Sequence, residues 1–122
     1  TFAIETRASE FVGIISSHDC SPRTGTFMYG VAVRRELRRQ GYASEAIRIL
    51  CRYFFEELRY QKVNADVYSG NLGSIRLHER LGFKLEGRLR RMVYTHGGFQ
   101  DVLVFGLTAE EFQTGLGATR PA

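Results

Sequence analysis

The 122-residue chain has no tryptophan, two prolines and two cysteines, and its charges lean to one sign, 17 Lys+Arg against 13 Asp+Glu for a net +4. No apolar run approaches the roughly 20 residues of a membrane-spanning helix. No basic stretch followed by an apolar segment opens the chain as a signal peptide would. Cys20 and Cys51 have neither a CxxC nor a metal-ligand spacing. Cys51 falls on an apolar helical face and reads as a small core residue rather than a disulfide partner. No two histidines share ligand spacing with a carboxylate, so no metal is expected. Repeats and low-complexity tracts are absent. These absences lead to the expectation of a reduced, cytoplasmic protein.

What remains is an ordinary globular balance, 43% hydrophobic and 25% charged, in a chain long enough for one core. A single domain over residues 1–108 is expected, followed by a polar, Gly-rich tail over 109–122 that partly frays. Strand-like runs cover Thr1–Thr6, Glu10–Ser16 and Thr26–Val33, with Asp19–Gly25 as the turn before the last. A helix follows from Ser44 to about Arg59, where Ile47, Leu50, Cys51, Phe54, Phe55 and Leu58 recur at three- and four-residue steps. Val63, Ala65 and Val67 then alternate with polar residues as a strand. A shorter helix spans Leu72–Arg80, with Gly82 as its left-handed C-terminal residue. Strands at Phe83–Glu86, Leu89–Thr95 and Phe99–Leu107 complete the chain, the last two joined through His96-Gly97-Gly98. This order implies an α/β (α+β) fold: a mixed, mostly antiparallel sheet with helices on both faces.

Positive charge is clustered. Arg34, Arg35, Arg38 and Arg39 crowd the connection between the strand ending at Val33 and the following helix, and Arg88, Arg90 and Arg91 form a second cluster. At a helix start the first backbone N–H groups lack intrahelical partners and the macrodipole is positive. Gly41 and the small Ala43 let an anion approach that backbone closely, and Arg38 and Arg39 add formal charge beside it. The segment Arg38–Ser44 therefore reads as a phosphate-cradling turn. A nucleotide P-loop is excluded because no Gly-Lys-Ser/Thr follows the glycine, and a dinucleotide fingerprint fails for want of spaced glycines. A solvated basic loop and a nucleic-acid patch stay open, although no aromatics interleave with these arginines as a stacking platform requires.

Arg38-Arg39-Gln40-Gly41-Tyr42-Ala43 resembles the Q/R-x-x-G-x-G/A signature of the GNAT superfamily of acyl-CoA-dependent N-acetyltransferases. Val31-Ala32-Val33 resembles the preceding strand. Asn71-Leu72-Gly73-Ser74 with His78-Glu79-Arg80-Leu81-Gly82-Phe83 is similar to the family's N-x-x-S-x-x-x-Y-E-K-L-G-F segment. Gly98-Phe99-Gln100-Asp101 is similar to the branch that acetylates ribosomal-protein N-termini or small amines. The resemblance implies acetyl-CoA as cosubstrate and an amine acceptor. It implies that the Val31 and Val33 backbone pairs with the pantetheine arm as an added strand and that a backbone N–H near Val31, on a splayed strand, polarises the thioester carbonyl. It further implies pyrophosphate contacts from Arg38, Arg39, Gln40, Gly41, Tyr42, Ala43 and Ser44, and pantetheine contacts from Asn71 with Ser74 beside it. Arg76 or Arg80 would reach the adenosine end, against the commoner reading as solvent-facing helix arginines.

The chain departs from the family in two ways. His78 stands where the family has a tyrosine that can protonate the leaving thiolate; imidazole can donate a proton, or His78 can simply pack. The strand Thr26–Val33 has no Asp or Glu, leaving Tyr29 as its only ionisable group: a candidate base, or a core residue. Without a strong base, an α-amine with pKa of about 7.7–8.0 is an easier acceptor than a lysine-like amine near about 10.4. The family's first strand and the helix pair that walls the acceptor site have no counterpart, so a fragment of a longer chain is expected, or a wall supplied by a partner. The open sheet edge would invite self-association as a homodimer. The leading function is N-acetyl transfer; a CoA-binding module without turnover is the alternative, and nucleic-acid binding the weakest reading.

Overall fold

The computed structural model describes the backbone of residues 1–119 and side chains through Gly115, in two compact units, Thr1–Gln61 and Lys62–Ala122. The expected class holds: six strands and three helices, with antiparallel pairing within each unit.

In the first unit, β1 (Phe2–Glu5), β2 (Phe11–Ser21) and β3 (Thr26–Val33) lie in sequence order. β2 extends into the expected turn, because an irregularity between His18 and Ser21, with Asp19 at φ 51°, absorbs the break without ending the strand. The turn is confined to Pro22–Gly25 and closed by the Gly25 N–H donating to the Ser21 carbonyl at 2.8 Å. Helix α1 (Tyr42–Arg52) starts two residues before the expected Ser44 and runs on into a π-helical turn, Tyr53–Glu57. The wider turn ends with the Leu58 N–H on the Tyr53 carbonyl at 3.1 Å and Arg59 at φ 62°. Through it the consecutive Phe54 and Phe55 are both buried. Both meet the ring of Phe27 on β3, Phe54 stacked at 4.0 Å and Phe55 edge-on at 5.8 Å. Tyr60 closes the cluster at 5.7 Å from Phe27.

In the second unit the strand order is β4 (Lys62–Tyr68), β6 (Gly98–Thr108), β5 (Lys84–Thr95), with α2 (Leu72–Arg80) and α3 (Ala109–Thr119). β5 is one strand where two were expected. Its register against β6 slips between Leu85 and Gly87 and again between Leu89 and Val93, so bulges rather than a loop take up the extra residues. The β5–β6 hairpin turns through His96 and Gly97, both at positive φ, as a tight hairpin loop demands.

Ala109–Thr119 is helical although its composition suggested fraying. Thr108 and Glu111 form a reciprocal capping box: the Thr108 N–H donates to Glu111 Oε1 at 2.9 Å, and the Glu111 N–H to Thr108 Oγ1 at 3.1 Å. Phe112 is buried one residue later. Residues 120–122 of the expected tail lie outside the described residues. Among the described residues, no helix is long and apolar enough to cross a membrane.

Candidate functional site

Val31, Ala32 and Val33 form the end of β3, where Ala32 is exposed and its two neighbours half-buried. The Arg34 N–H donates to the Val12 carbonyl at 2.7 Å, and the Arg34 guanidinium reaches the Phe11 carbonyl at 3.2 Å and Glu36 at 2.7 Å. Arg34 is thereby a brace for the strand end and not a free cation. Arg38 Nε donates to the Val33 carbonyl at 3.3 Å, folding the turn back over the strand end. Arg35 and Arg39 are exposed, and Arg39 sits at φ 64°.

Gly41 precedes α1 at φ 83°, a left-handed conformation that costs an L side chain about 1–2 kcal/mol. A Cβ there would meet no atom within 4 Å. No side chain caps the first turn of α1, so the N–H groups of Tyr42, Ala43 and Ser44 have no capping acceptor. A turn with a left-handed glycine, open space above it, uncapped donors and two arginines fits a phosphate group.

In the second unit, Asn71 begins α2. Its Oδ1 accepts from the Ser74 N–H at 3.1 Å as a helix cap. The cap uses the oxygen alone, and the exposed Asn71 retains two Nδ2–H donors. Ser74 is half-buried; its carbonyl accepts from His78 Nδ1 at 2.8 Å, and its Oγ lies 3.4 Å from the same nitrogen. His78 is 3% exposed, edge-on to Phe83 at 5.0 Å and stacked on Phe105 at 5.8 Å. Burial pushes its pKa below the usual imidazole value, with the bond to Ser74 partly opposing that. The Nδ1 side of the imidazole is engaged by the Ser74 carbonyl, and the ring packs between Phe83 and Phe105.

Tyr29 is a core side chain, 6% exposed. Its pKa lies well above the ordinary phenol value, through burial first and the neighbouring Cys51 second. Burial thus disfavours the phenolate form. The Cys51 thiol is itself buried and pushed up to about 12, which makes it inert; Cys20 is exposed and also free. Among the described residues no three His, Cys, Asp or Glu side chains gather as a cation site.

A groove of about 660 Å³ runs along the first unit between β1 and one face of α1. Tyr42, Ala46, Ile49 and Tyr53 line its helical side, at the three- and four-residue steps of a single stripe. Phe2 and Ile4 line the strand side. Tyr42 alone is shared with the basic turn. The groove's walls are mainly apolar, and Glu5, Arg7 and Glu45 also line it.

Sequence reasoning missed the brace at Arg34, because its partners Phe11 and Val12 lie over 20 positions away. It also missed the capping box, although Thr108-x-x-Glu111 is a readable signal.

A family model described as "Acetyltransferase (GNAT) domain" matches residues 1–84. A SPbeta prophage-derived uncharacterized N-acetyltransferase, YokL of Bacillus subtilis (strain 168), is 49% identical over 109 residues, covering 89% of this chain and 62% of that protein. The putative ribosomal N-acetyltransferase YdaF of the same organism is 31% identical over 101 residues, covering 83% and 55%. Among solved structures, the spermidine N-acetyltransferase SpeG of Vibrio cholerae, as an F149A mutant, superposes with a TM-score of 0.84 at 21% identity, over 90% of this chain and 65% of that one. That likeness is one of fold. The chain spans about three fifths of the length of the two curated relatives it matches over the most residues, 62% and 60%.

Proposed function

The chain belongs to the GNAT acetyltransferase family, and on that premise we propose that it transfers an acetyl group from acetyl-CoA to a primary amine, in a cytoplasmic setting. The observation that carries this reading is the uncapped first turn of α1, entered through left-handed Gly41 and flanked by Arg38 and Arg39. In it, the N–H groups of Tyr42, Ala43 and Ser44 hold the pyrophosphate, with Arg38, Arg39 and Gln40 around it. The backbone of Val31, Ala32 and Val33 pairs with the pantetheine arm. In the second unit Asn71 serves as a pantetheine ligand through Nδ2, and Ser74 fixes Asn71 by supplying the capped N–H.

The bound thioester supplies an activated acetyl group to a neutral amine in a ternary complex: the C–N bond forms, the C–S bond breaks, sulfur leaves as thiolate, and the amine proton passes to water. Tyr29 and His78 are both buried, and β3 carries no Asp or Glu, so this reading assigns no side chain to take that proton. The acceptor must then arrive deprotonated, which favours an α-amine over a lysine-like amine. This narrows the acceptor to a protein N-terminus or a small amine of low basicity.

Thiol release from acetyl-CoA, measured over an amine panel and a pH series, tests the reading. The expected outcome is a rate that rises with pH through each acceptor's own pKa. A pH profile identical for all acceptors would put a titrating enzyme group in the step and overturn the substrate-controlled proton balance. Acetyl-CoA binding without turnover would support a non-catalytic CoA-binding module, which the buried Tyr29 and His78 also suit. No binding would remove both.

A further inference from the structure

The short loop between β4 and α2 carries Asn71, and beside its own turn bonds, among them the Leu72 N–H on the Gly70 carbonyl at 3.1 Å, it is held from outside. Two residues of β6 hold it. The Ser69 N–H donates to the Asp101 carbonyl at 2.9 Å, and the Asp101 N–H donates back to Ser69 Oγ at 3.0 Å. The next residue is tied by a side chain: the Gly70 N–H donates to Gln100 Oε1 at 3.0 Å. Gln100 lies so close that a Cβ on residue 70 would stand 2.8 Å from Oε1 and push the amide aside. Asn71 follows, with its own N–H on the Tyr68 carbonyl at 2.9 Å.

Asp101 is fixed in turn. Its Oδ1 accepts from the Arg91 N–H at 2.9 Å inside the β5 bulge, and Oδ2 takes the Arg88 guanidinium. The strand thus aims two groups at Asp101, the Arg88 side chain and the Arg91 backbone, while the Arg91 guanidinium lies 4.0 Å over the Phe99 ring. The contacts to Asp101 hold its carboxyl below the usual range, the backbone bond from Arg91 first and the Arg88 side chain second.

We propose that Gln100 is a positioning residue for the donor site: by holding the Gly70 amide it fixes the direction in which Asn71 presents its Nδ2–H groups to the pantetheine arm. This rests on the reading of Asn71 as a pantetheine ligand. Gln100 reaches no substrate in this account. It acts through Gly70 alone, because Ser69 is held independently by Asp101 and the Asn71 Oδ1 by the Ser74 cap. Losing the Gln100 acceptor frees the Gly70 amide and leaves the residue held only by the local turn bonds, the Leu72 N–H on its carbonyl and the Asn71 N–H on Tyr68.

The test compares CoA with adenosine 3′,5′-bisphosphate, which carries phosphates and no pantetheine, by calorimetry on the full chain. Gln100→Ala is expected to weaken CoA about tenfold, the order of one lost hydrogen bond, and to leave the bisphosphate unchanged. Gln100→Glu keeps an acceptor oxygen toward Gly70 and is expected to restore CoA affinity. Asn71→Asp keeps the helix cap but removes the donors, so it should weaken CoA alone, and adding Gln100→Ala to it should cost little more. Unchanged CoA affinity in Gln100→Ala, with Asn71→Asp weakened, overturns the positioning role and leaves the Asn71 reading standing. Equal weakening of both ligands in Gln100→Ala would mean general destabilisation and also overturns it. A normal Asn71→Asp variant, or a wild type that binds no CoA, removes the donor-site reading itself and the inference with it.

Discussion

His78 shows how one side chain's surroundings decide its chemistry. A histidine at the last turn of a helix, beside a family position that holds tyrosine, reads equally as an acid or as packing. Enclosure by Phe83 and Phe105 favours the second, since desolvation disfavours the charged ring. A stability consequence follows from the direction of the shift. With the folded pKa below the unfolded value of about 6.5, the unfolded chain binds more protons between the two values. The contribution is fully present above about pH 6.5 and is lost as pH falls through the folded value. Urea midpoints should therefore drop on acidification below about pH 6.5, and His78→Phe should flatten that segment while leaving the acetyl-transfer rate profile unaltered. A changed rate profile would return His78 to the mechanism. Asp101 and Glu111 also have lowered pKa values, but from ordinary values of 3.8 and 4.5, so their losses come at more acid pH.

At the scale of elements, the turn into α1 joins two demands at Gly41. The backbone there is left-handed, and the space above it is empty of protein atoms. A β-branched side chain at that position meets backbone strain and occupies the space proposed for phosphate. Gly41→Val is expected to lower acetyl-CoA affinity at least about tenfold, since about 1.4 kcal/mol suffices for that factor and the strain alone is of that order. Calorimetry reads the loss, and unchanged affinity would count against the phosphate turn. The C-terminal helix gives a separate case. Thr108 caps α3 through Oγ1, and Thr108→Ala should cost about 1 kcal/mol in denaturant unfolding. A loss of zero would mean that α3 is held by the burial of Phe112 alone.

For the whole molecule, surface character matters more than any single contact. β1 lies at the end of its strand order, beside a groove whose walls include Phe2, Ile49 and Tyr53, 56%, 60% and 49% exposed. An open strand edge next to exposed apolar side chains favours pairing with another chain. Light scattering on this 122-residue chain should show a mass that rises above the monomer with concentration, and Ile49→Glu should suppress the rise. A concentration-independent monomer would sink the homodimer.

Much of this was legible in the residues alone. The alternation of Val63, Ala65 and Val67 marked β4, the bounds Leu72–Arg80 of α2 were read as they stand, and the spacing of Arg38, Gly41 and Ala43 marked the turn. These are local properties: periodicity, caps and glycine conformation act over a few residues, so a local pattern determines them. Only the tertiary structure decided that Tyr29 and His78 are buried core groups, that Arg34 is a brace, that β5 is one bulged strand, and that Gln100 holds Gly70. Each depends on burial or on a partner up to 30 positions away, as between Gly70 and Gln100. A residue's solvation and long-range hydrogen bonds follow from the packed fold, and no local spacing encodes them.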